Sequence, residues 1–323
     1  MFVINNKYST AKPFIKWVGG KGQLLQQLEA QLPRELYDEP FTYVEPFVGG
    51  GAMLFFMLQH FVNIKRVVIN DINRNLTEAY ANIKQEPEGL VYRLKHIEQQ
   101  YLPIEDYEEQ RTFYLEMRRR FNEENLSSLD KTSLLIFLNR TCFNGLYREN
   151  AKGFFNVPFG RYANPTICNE EVIYADSELL NRYDVQILNG DFKETVKAID
   201  KTGLTFFYFD PPYRPLSTTS SFNSYVKEDF NDDRQRDLAD FCRMLDRKDN
   251  VHWMLSNSDC SAKNPTDTFF EDIYDGFNIQ RVYASRMVNA NASKRGKLTE
   301  LLIKNYTTKP QKEIVDNQYK LAL

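Results

Sequence analysis

The chain has 323 residues, a formal net charge of −3 and 42% hydrophobic residues, enough apolar material for one large domain or two. No stretch approaches the roughly 18 apolar residues of a membrane-spanning helix, and the N-terminus lacks a signal-peptide pattern. We therefore expect a soluble cytoplasmic protein. The four cysteines form no CxxC pair and the three histidines form no HExxH motif, which argues against a metal site.

The charge is unevenly distributed along the chain. Residues 131–161 contain five basic side chains and one acidic side chain, and residues 281–297 contain five basic and no acidic side chains. Such patches attract phosphate groups even on a protein with a negative net charge. Ordinary solvated surface explains them about equally well when they are taken alone.

The first motif along the chain is the run Lys-Trp-Val-Gly-Gly-Lys-Gly that begins at Lys16. It is not a phosphate-binding loop of the GxxxxGK[ST] type, because Gln23 follows Gly22, and this disfavours a nucleotide triphosphatase. Trp17 and Lys21 could instead hold the thioether and carboxylate of a methionine-derived cofactor. Without other context, the segment is an N-terminal loop with a surface lysine.

A βαβ unit of the doubly wound kind comes next, with a strand over 42–47, a helix over 52–61 and a strand over 66–70. The glycine-rich turn 45–51 lets the backbone approach a ligand closely. A turn of this kind is more often structural than ligand-binding when it stands alone. Asp71 reverses that preference, because an acid at the end of the second strand suits both hydroxyls of a ribose.

The middle of the chain is predicted to be an insertion. Helical spacing continues to about residue 138, with a long helix over 107–122, and a loop-rich basic stretch then extends to about residue 183. A segment of this size forms a small domain of its own. The prediction is one α/β domain built from both ends of the chain, a mainly helical insertion and a polar tail: 1–75 with 184–308, 76–183, and 309–323.

Five further strands are predicted, the last two as an antiparallel pair: 185–188, 204–209, 251–256, 279–284 and 299–305. Asp191 and Phe192 follow the first of these strands, where an acid and an aromatic ring could bond and stack an adenine. A plain turn is an equally good interpretation of that pair.

The most informative motif follows strand 204–209 and consists of Asp210, Pro211, Pro212 and Tyr213. Proline cannot donate to a strand ladder, so pairing ends there. Ligands bind at the carboxyl ends of strands in an open α/β sheet. The motif therefore places a carboxylate, fixed carbonyls and an aromatic ring at a cleft.

This set suits the exocyclic amino group of adenine, which is a poor nucleophile because its lone pair is delocalised into the ring. Hydrogen bonds to the Asp210 carboxylate and the Pro211 carbonyl would draw the nitrogen toward tetrahedral geometry, and Tyr213 would stack on the base. Catalysis of this kind is positioning and electrostatics, and the base must first be flipped out of the duplex. A strand that ends in a Pro-Pro turn is the plainer interpretation.

Together, five segments resemble the DNA adenine methylase (Dam) family of S-adenosylmethionine-dependent N6-adenine methyltransferases, in that family's alpha-class order. They are FIKWVGGKGQLL, YVEPFVGGGAMLF, INDIN, LNRTCFNGLYREN…GFFNVPFGRY and FYFDPPYRPLSTTSSFNSY. The resemblance runs from about residue 14 to 306. It implies a Rossmann-like methyltransferase fold with a mixed sheet and makes the helical insertion a DNA-recognition domain.

The resemblance also implies roles for individual residues. It makes Asp210, Pro211, Pro212 and Tyr213 catalytic. Cofactor contacts fall on Trp17, Lys21, Phe47, Gly49, Gly51, Asp71, Asp191, Phe192 and Asp210. Contacts to DNA fall on Lys16, Asn144, Leu146, Arg148 and Pro158, with Arg148 reading a guanine and Phe222 and Tyr225 in a loop that closes over the flipped adenine.

The implied activity is methyl transfer from S-adenosylmethionine to adenine in GATC of double-stranded DNA. We expect no metal, given the cysteine and histidine pattern, and take a monomer acting on each strand as the default. The implied setting is the nucleoid of a bacterium, or a phage, as an orphan methylase or as the partner of a restriction endonuclease for the same site. Residues 288–295 depart from the family's Ser-Ser-Asn-Gly-like run. Two alternatives remain open: the same chemistry on RNA or a protein amide, and a nucleic-acid-binding module that has lost catalysis.

Overall fold

A computed structural model describes residues 10–17, 19–216, 230–284 and 298–308. Within these ranges the chain forms one seven-stranded sheet with the strand order β3-β2-β1-β4-β5-β7-β6. The strands are β1 Phe41–Glu45, β2 Ile64–Asp71, β3 Val185–Asn189, β4 Leu204–Phe209, β5 Val251–Ser258, β6 Asn278–Ala284 and β7 Leu298–Lys304.

The sheet is mixed. Strands β1 to β5 run parallel to one another, and β7 pairs antiparallel with both β5 and β6. Tyr43 of β1 stands opposite Val67 of β2 on one side and Phe206 of β4 on the other. The predicted α/β fold with a mixed sheet is confirmed, as is the antiparallel pair at its edge.

Helices cover both faces of this sheet. Their bounds are α1 Leu25–Glu29, α2 Glu35–Asp38, α3 Ala52–His60, α4 Arg74–Gln85, α5 Pro87–Tyr101, α6 Tyr107–Glu123, α7 Ser128–Thr141, α8 Glu170–Arg182, α9 Asp232–Asp246, α10 Cys260–Lys263 and α11 Phe269–Ile273. The helices predicted over 52–61 and 107–122 are confirmed to within one residue at each end. Among the described helices, none has the length and apolar character that crossing a bilayer requires.

Two hydrophobic cores lie on opposite faces of the sheet. Tyr43 and Phe206 are buried in one core with residues of α3, α4, α5, α7 and α8. The next residues along, Val44 and Phe207, are buried in the other core with residues of α9. Successive strand residues alternate between faces, so a strand covered on both sides is apolar throughout. This is why β4 could be located from its sequence alone.

Helix α8 corrects the prediction of a loop-rich stretch up to residue 183. Asn169 caps this helix by accepting a hydrogen bond from the Val172 backbone N–H, and Val172, Ile173, Leu179 and Leu180 are buried. This spacing is one face of a helix. The Asn- and Gly-rich composition of the residues before it is typical of a loop and concealed the change.

The insertion shares its core with the sheet. Helix α4 packs against β2 and β3 as well as against α7 and α8, and Tyr80 of α4 and Phe137 of α7 lie in the same core as Tyr43. The division into a sheet domain and a domain over 76–183 stays a prediction, and the shared core joins the two parts tightly.

Candidate active site and DNA-contact surface

The site lies where three parallel strands end at the same edge of the sheet. Glu45 is the last residue of β1, Asp71 is the last residue of β2, and Asp210 follows β4 directly. Asn70 ties this edge together, because its Nδ2 donates to the carbonyls of Pro46 and Gly190, each at 3.0 Å. Three acidic side chains therefore converge at one end of the sheet.

Lys21 is the cation of this edge. Its side chain is buried, with the residue only 3% exposed, and its Nζ lies 2.9 Å from Asp210 Oδ1 and 3.7 Å from Glu300 Oε2. Nζ also donates to the Gly19 carbonyl at 2.9 Å and lies 4.5 Å from the centroid of the Tyr213 ring. The lysine predicted to hold a cofactor carboxylate thus contacts the motif that is predicted to be catalytic.

The charges around Asp210 have opposing effects on its protonation. Burial raises the pKa of the Asp210 carboxyl, the Lys21 ammonium lowers it, and the Glu300 carboxylate raises it. Burial also raises the pKa of Glu45 well above its usual range, while a hydrogen bond from Tyr43 Oη at 2.7 Å acts against that rise. The cluster therefore brings the carboxyl groups of Asp210 and Glu300 to the Lys21 ammonium.

The two prolines of the motif are held from the side of α9. Pro211 is buried and Pro212 is exposed, and the Pro212 carbonyl accepts a hydrogen bond from Gln235 Nε2 at 2.9 Å. Gln235 Oε1 in turn accepts from Asn257 Nδ2 at 3.1 Å. This chain of buried amides fixes the path of the backbone between Asp210 and Tyr213.

The glycine turn lies beside this cluster and is covered by Trp17. Gly49 and Gly51 have φ of 50° and 78°, in the left-handed region. A Cβ on Gly49 would come within 2.9 Å of the Trp17 ring, and one on Gly51 would come within 2.4 Å of Tyr80 Oη. Both positions therefore exclude side chains, and the Trp17 ring lies directly against the turn.

Asp71 is connected to the same turn. Its Oδ2 accepts from the Gly49 N–H at 3.0 Å and its Oδ1 accepts from the Asn73 N–H at 2.9 Å. Burial raises its pKa, and these two backbone bonds oppose the rise. Each carboxylate oxygen has lone pairs beyond the one that these bonds use, so Asp71 is free to accept from ribose hydroxyls.

Asp191 and Phe192 lie at the end of β3 but are engaged with other groups. Asp191 forms an ion pair with Arg234. The Phe192 ring is 2% exposed and lies against the rings of Phe47 and Phe230, with centroids 5.4 and 6.2 Å away. Stacking of Phe192 on an adenine stays a prediction, and the Phe192 ring is covered by its neighbours in this structure.

The predicted DNA contacts come together on one hairpin-like segment, 142–160. Isolated bridges join Cys142 to Phe159 and Glu149 to Phe155. Asn144 has a φ of 56°, and it and Pro158 are exposed while Leu146 and Arg148 are half-buried, so none of the four is fully buried.

Asn139 joins this segment to the N-terminal loop. Its Oδ1 accepts from the Lys16 N–H at 2.8 Å, and its Nδ2 donates to the carbonyls of Lys16 and Gly145 at 2.9 and 3.0 Å. A Cβ on Gly145 would meet the Lys16 side chain at 2.4 Å. Lys16, the other predicted DNA contact, is therefore packed on the hairpin, while the next residue, Trp17, covers the glycine turn.

Arg148 is oriented by Asn156. Its Nε donates to Asn156 Oδ1 at 2.7 Å, and its Nη2 donates to the Asn156 carbonyl at 3.3 Å. A guanidinium has five N–H donors, so this contact leaves hydrogens on both Nη atoms. The side chain is therefore held in place and retains the donors that reading a guanine requires.

Several residues at the site were not singled out from the sequence. Glu300 of β7 accepts from Tyr213 Oη at 2.7 Å, and Gln235 fixes the Pro212 carbonyl. Phe143 is 51% exposed next to Asn144. Its signal in the sequence is an aromatic residue directly beside a predicted DNA contact, in a basic stretch. Glu300 also had a signal, since it is an acid in the otherwise apolar run Leu-Thr-Glu-Leu-Leu-Ile.

Three predicted features lie outside the described residues: Phe222, Tyr225 and the departure from the family pattern at 288–295.

Comparison with known proteins places these features in a family context. A sequence model of the D12 class of N6 adenine-specific DNA methyltransferases matches residues 17–288. The type II methyltransferase M.MjaIII of Methanocaldococcus jannaschii is 46% identical over 91% of this chain and 99% of its own length. The type II methyltransferase M1.LlaDCHI of Lactococcus lactis subsp. cremoris is 39% identical, over 91% of this chain and 95% of its own length. A DNA adenine methylase of Vibrio cholerae is 32% identical, over 90% of this chain and 95% of its own length.

Proposed function

The chain belongs to the D12 class of N6 adenine-specific DNA methyltransferases, and we propose that its target is the adenine of GATC in double-stranded DNA. Membership of the family implies S-adenosylmethionine as the methyl donor and DNA as the substrate. The observation that carries the assignment of the site is the cluster of buried Lys21 with half-buried Asp210 and Tyr213 beside the glycine turn. It places acceptors for an amino group next to a backbone turn that a cofactor can approach.

The groups around the turn fit the cofactor. Asp71 has acceptor capacity for the ribose, and Trp17 closes one side of the turn. Two of the three Nζ hydrogens of Lys21 go to Asp210 and Gly19, which leaves one for the cofactor carboxylate, with Glu300 as the competing acceptor. When bound, S-adenosylmethionine supplies the activated methyl group. Asp191 can receive the adenine amino group of the cofactor only by sharing its carboxylate with Arg234.

The target adenine is positioned by the motif that follows β4. Because Asp210 Oδ1 is bonded to Lys21, Oδ2 is the oxygen that accepts one N6–H, and the Pro211 carbonyl accepts the other. Both bonds strengthen as N6 becomes tetrahedral and gains positive charge, so they stabilise the transition state more than the ground state. Tyr213 stacks on the base, which has been rotated out of the duplex. Phe222 and Tyr225 are proposed to close over it.

Recognition of the sequence is assigned to the hairpin segment and to Lys16. The GATC site follows from the family resemblance of Asn144, Leu146, Arg148 and Pro158, and it is supported by their position together on one surface. Arg148 is proposed to read a guanine through O6 and N7, the commonest specific contact in the major groove. Phe143 is exposed on the same segment, so its ring is available to stack on a base. Such stacking carries no sequence preference.

Replacing Arg148 tests this assignment. We expect Arg148→Ala to cost about 1–3 kcal/mol in discrimination at one guanine position and to relax the preference there. The measurement is methylation of a GATC duplex and of duplexes that each carry one substituted base pair. Asn156→Ala is the matched variant. It keeps the arginine but removes one of its two anchors, so the loss should occur at the same base pair and be smaller.

A uniform loss of methylation across all duplexes in Arg148→Ala would contradict the assignment, since that result describes a contact to phosphate.

The biological setting is a separate proposal. Two of the similar proteins are named type II methyltransferases and others are named DNA adenine methylases, so the protein acts either beside a restriction endonuclease for the same site or as an orphan methylase. The type II relatives have the higher identities of those given above, which favours the partner endonuclease. A neighbouring gene whose product cuts unmethylated GATC would confirm the pairing, and its absence would support the orphan role.

A further inference from the structure

We propose that Glu300 is a positioning residue for methyl transfer. It holds the plane of the Tyr213 ring through a hydrogen bond, and it shares the Lys21 ammonium with Asp210. The proposal rests on the proposed roles of Asp210 and Tyr213. It adds a residue on a strand that is distant in sequence from the motifs of the site, and that lies beyond the part of the chain that matches the family model.

The first observation is the anchor on the tyrosine. Tyr213 follows two prolines after the end of β4, where no strand pairing fixes the backbone, and its Oη donates to Glu300 Oε2 at 2.7 Å. Glu300 itself lies on a paired strand, opposite Ser258 of β5 and Val282 of β6. A ring that must lie parallel to a base therefore takes its orientation from the rigid sheet through one charge-assisted hydrogen bond.

The second observation is the charge balance at Lys21. Its Nζ lies 2.9 Å from Asp210 and 3.7 Å from Glu300, and the Lys21 residue is 3% exposed. One ammonium lies between two carboxyl groups, so the cluster holds more acidic side chains than basic ones. Positive charge develops on adenine N6 as the new N–C bond forms, and a fixed negative charge nearby stabilises it.

Burial favours the neutral form of the other ionisable groups around Asp210. Burial raises the pKa of Tyr208 and of Tyr213 well above the usual range, and it does the same for Glu45. The groups that face Asp210 are Lys21, Glu300, Tyr213, Tyr208 and Glu45. Of these, Glu300 is the acidic side chain whose charge raises the pKa of Asp210, so its removal is expected to lower that pKa.

Three variants separate the anchor from the charge: Glu300→Ala, Glu300→Gln and Tyr213→Phe. Glu300→Ala and Tyr213→Phe both remove the hydrogen bond, so each should slow single-turnover methylation by about 10- to 100-fold. The double variant should be no slower than the slower single one, because the two residues act through one contact. Glu300→Gln has the same shape and retains an acceptor, so it should keep the ring in place.

The pH profile of Glu300→Gln supplies a readout that a merely structural role would not change. The Glu300 carboxylate raises the pKa of Asp210, so a neutral glutamine lowers that pKa. Asp210 then stays ionised at lower pH, and the acidic limb of the rate profile should move to lower pH. Glu88→Gln is the control, since Glu88 is exposed on α5, and it should leave the rate and the profile unchanged.

Additive losses in the double variant, or an acidic limb that stays in place in Glu300→Gln, would overturn the role of Glu300. Those results leave the methyltransferase assignment intact as long as the unaltered protein methylates DNA. If the unaltered protein transfers no methyl group to any DNA, the proposed function fails and the role of Glu300 fails with it.

Discussion

Asp210→Ala is expected to reduce single-turnover methyl transfer by about 1,000-fold or more while the protein stays folded. The substitution removes the proposed acceptor for one N6–H, and without it N6 is expected to stay in its planar, poorly nucleophilic form. Lys21 retains Glu300 at 3.7 Å and the Gly19 carbonyl at 2.9 Å as partners, so the fold should survive. Transfer from labelled S-adenosylmethionine to a GATC duplex measures the rate, and circular dichroism reports the fold.

Asp210→Asn is the matched control for this prediction. It retains the shape and one acceptor oxygen but loses the charge that pairs with Lys21, so its rate should fall less than that of Asp210→Ala. Turnover at the unaltered rate in Asp210→Ala would refute a catalytic role for the motif.

The same carboxylate sets the pH dependence of the unaltered enzyme. Only ionised Asp210 accepts from N6–H without donating a proton of its own, and burial raises its pKa above the usual aspartate range. The rate should therefore decline as the pH falls through that raised pKa.

The second large effect is expected for Lys21→Ala. The alanine removes the ammonium that lies between the Asp210 and Glu300 carboxyl groups, and with it the proposed donor for the cofactor carboxylate. Affinity for S-adenosylmethionine should therefore fall by about 10- to 150-fold. The rate should fall as well, because the loss of Lys21 raises the pKa of Asp210 and favours its protonated form. Isothermal titration with the cofactor measures the affinity, and a rate profile against pH measures the second effect.

Lys65→Ala is the control for the loss of a lysine, because Lys65 is exposed on β2. Cofactor affinity in Lys65→Ala should equal that of the unaltered protein. If Lys21→Ala also bound the cofactor with unaltered affinity and kept its acidic limb in place, Lys21 would be a structural lysine only.

The features that local sequence determines could be predicted. Strand β4 was located to the residue because its six buried positions form one apolar run that ends at a proline pair. Asp71 and Asp210 could be assigned to the same edge because parallel strands bring their carboxyl ends together. The tight turn 45–51 could be predicted for a different reason, because its glycines have no Cβ and adopt a left-handed backbone without strain.

The features that depend on distant pairing could not be predicted. Glu300 and Tyr213 are 87 residues apart, and they meet only because β7 inserts between β5 and β6 in the antiparallel direction. The contact between Lys21 and Asp210 likewise depends on the N-terminal loop, which Asn139 of α7 holds in place. The burial of Phe192 depends on Phe47 and Phe230, which lie in separate parts of the chain.

The most direct test is methyl transfer from labelled S-adenosylmethionine to two duplexes of equal composition, one containing GATC and one with that site scrambled. We expect incorporation only into the GATC duplex, and only at adenine N6. Equal incorporation into both duplexes would contradict the proposed recognition of GATC by the hairpin segment while retaining the chemistry at Asp210. Incorporation into neither duplex would contradict both.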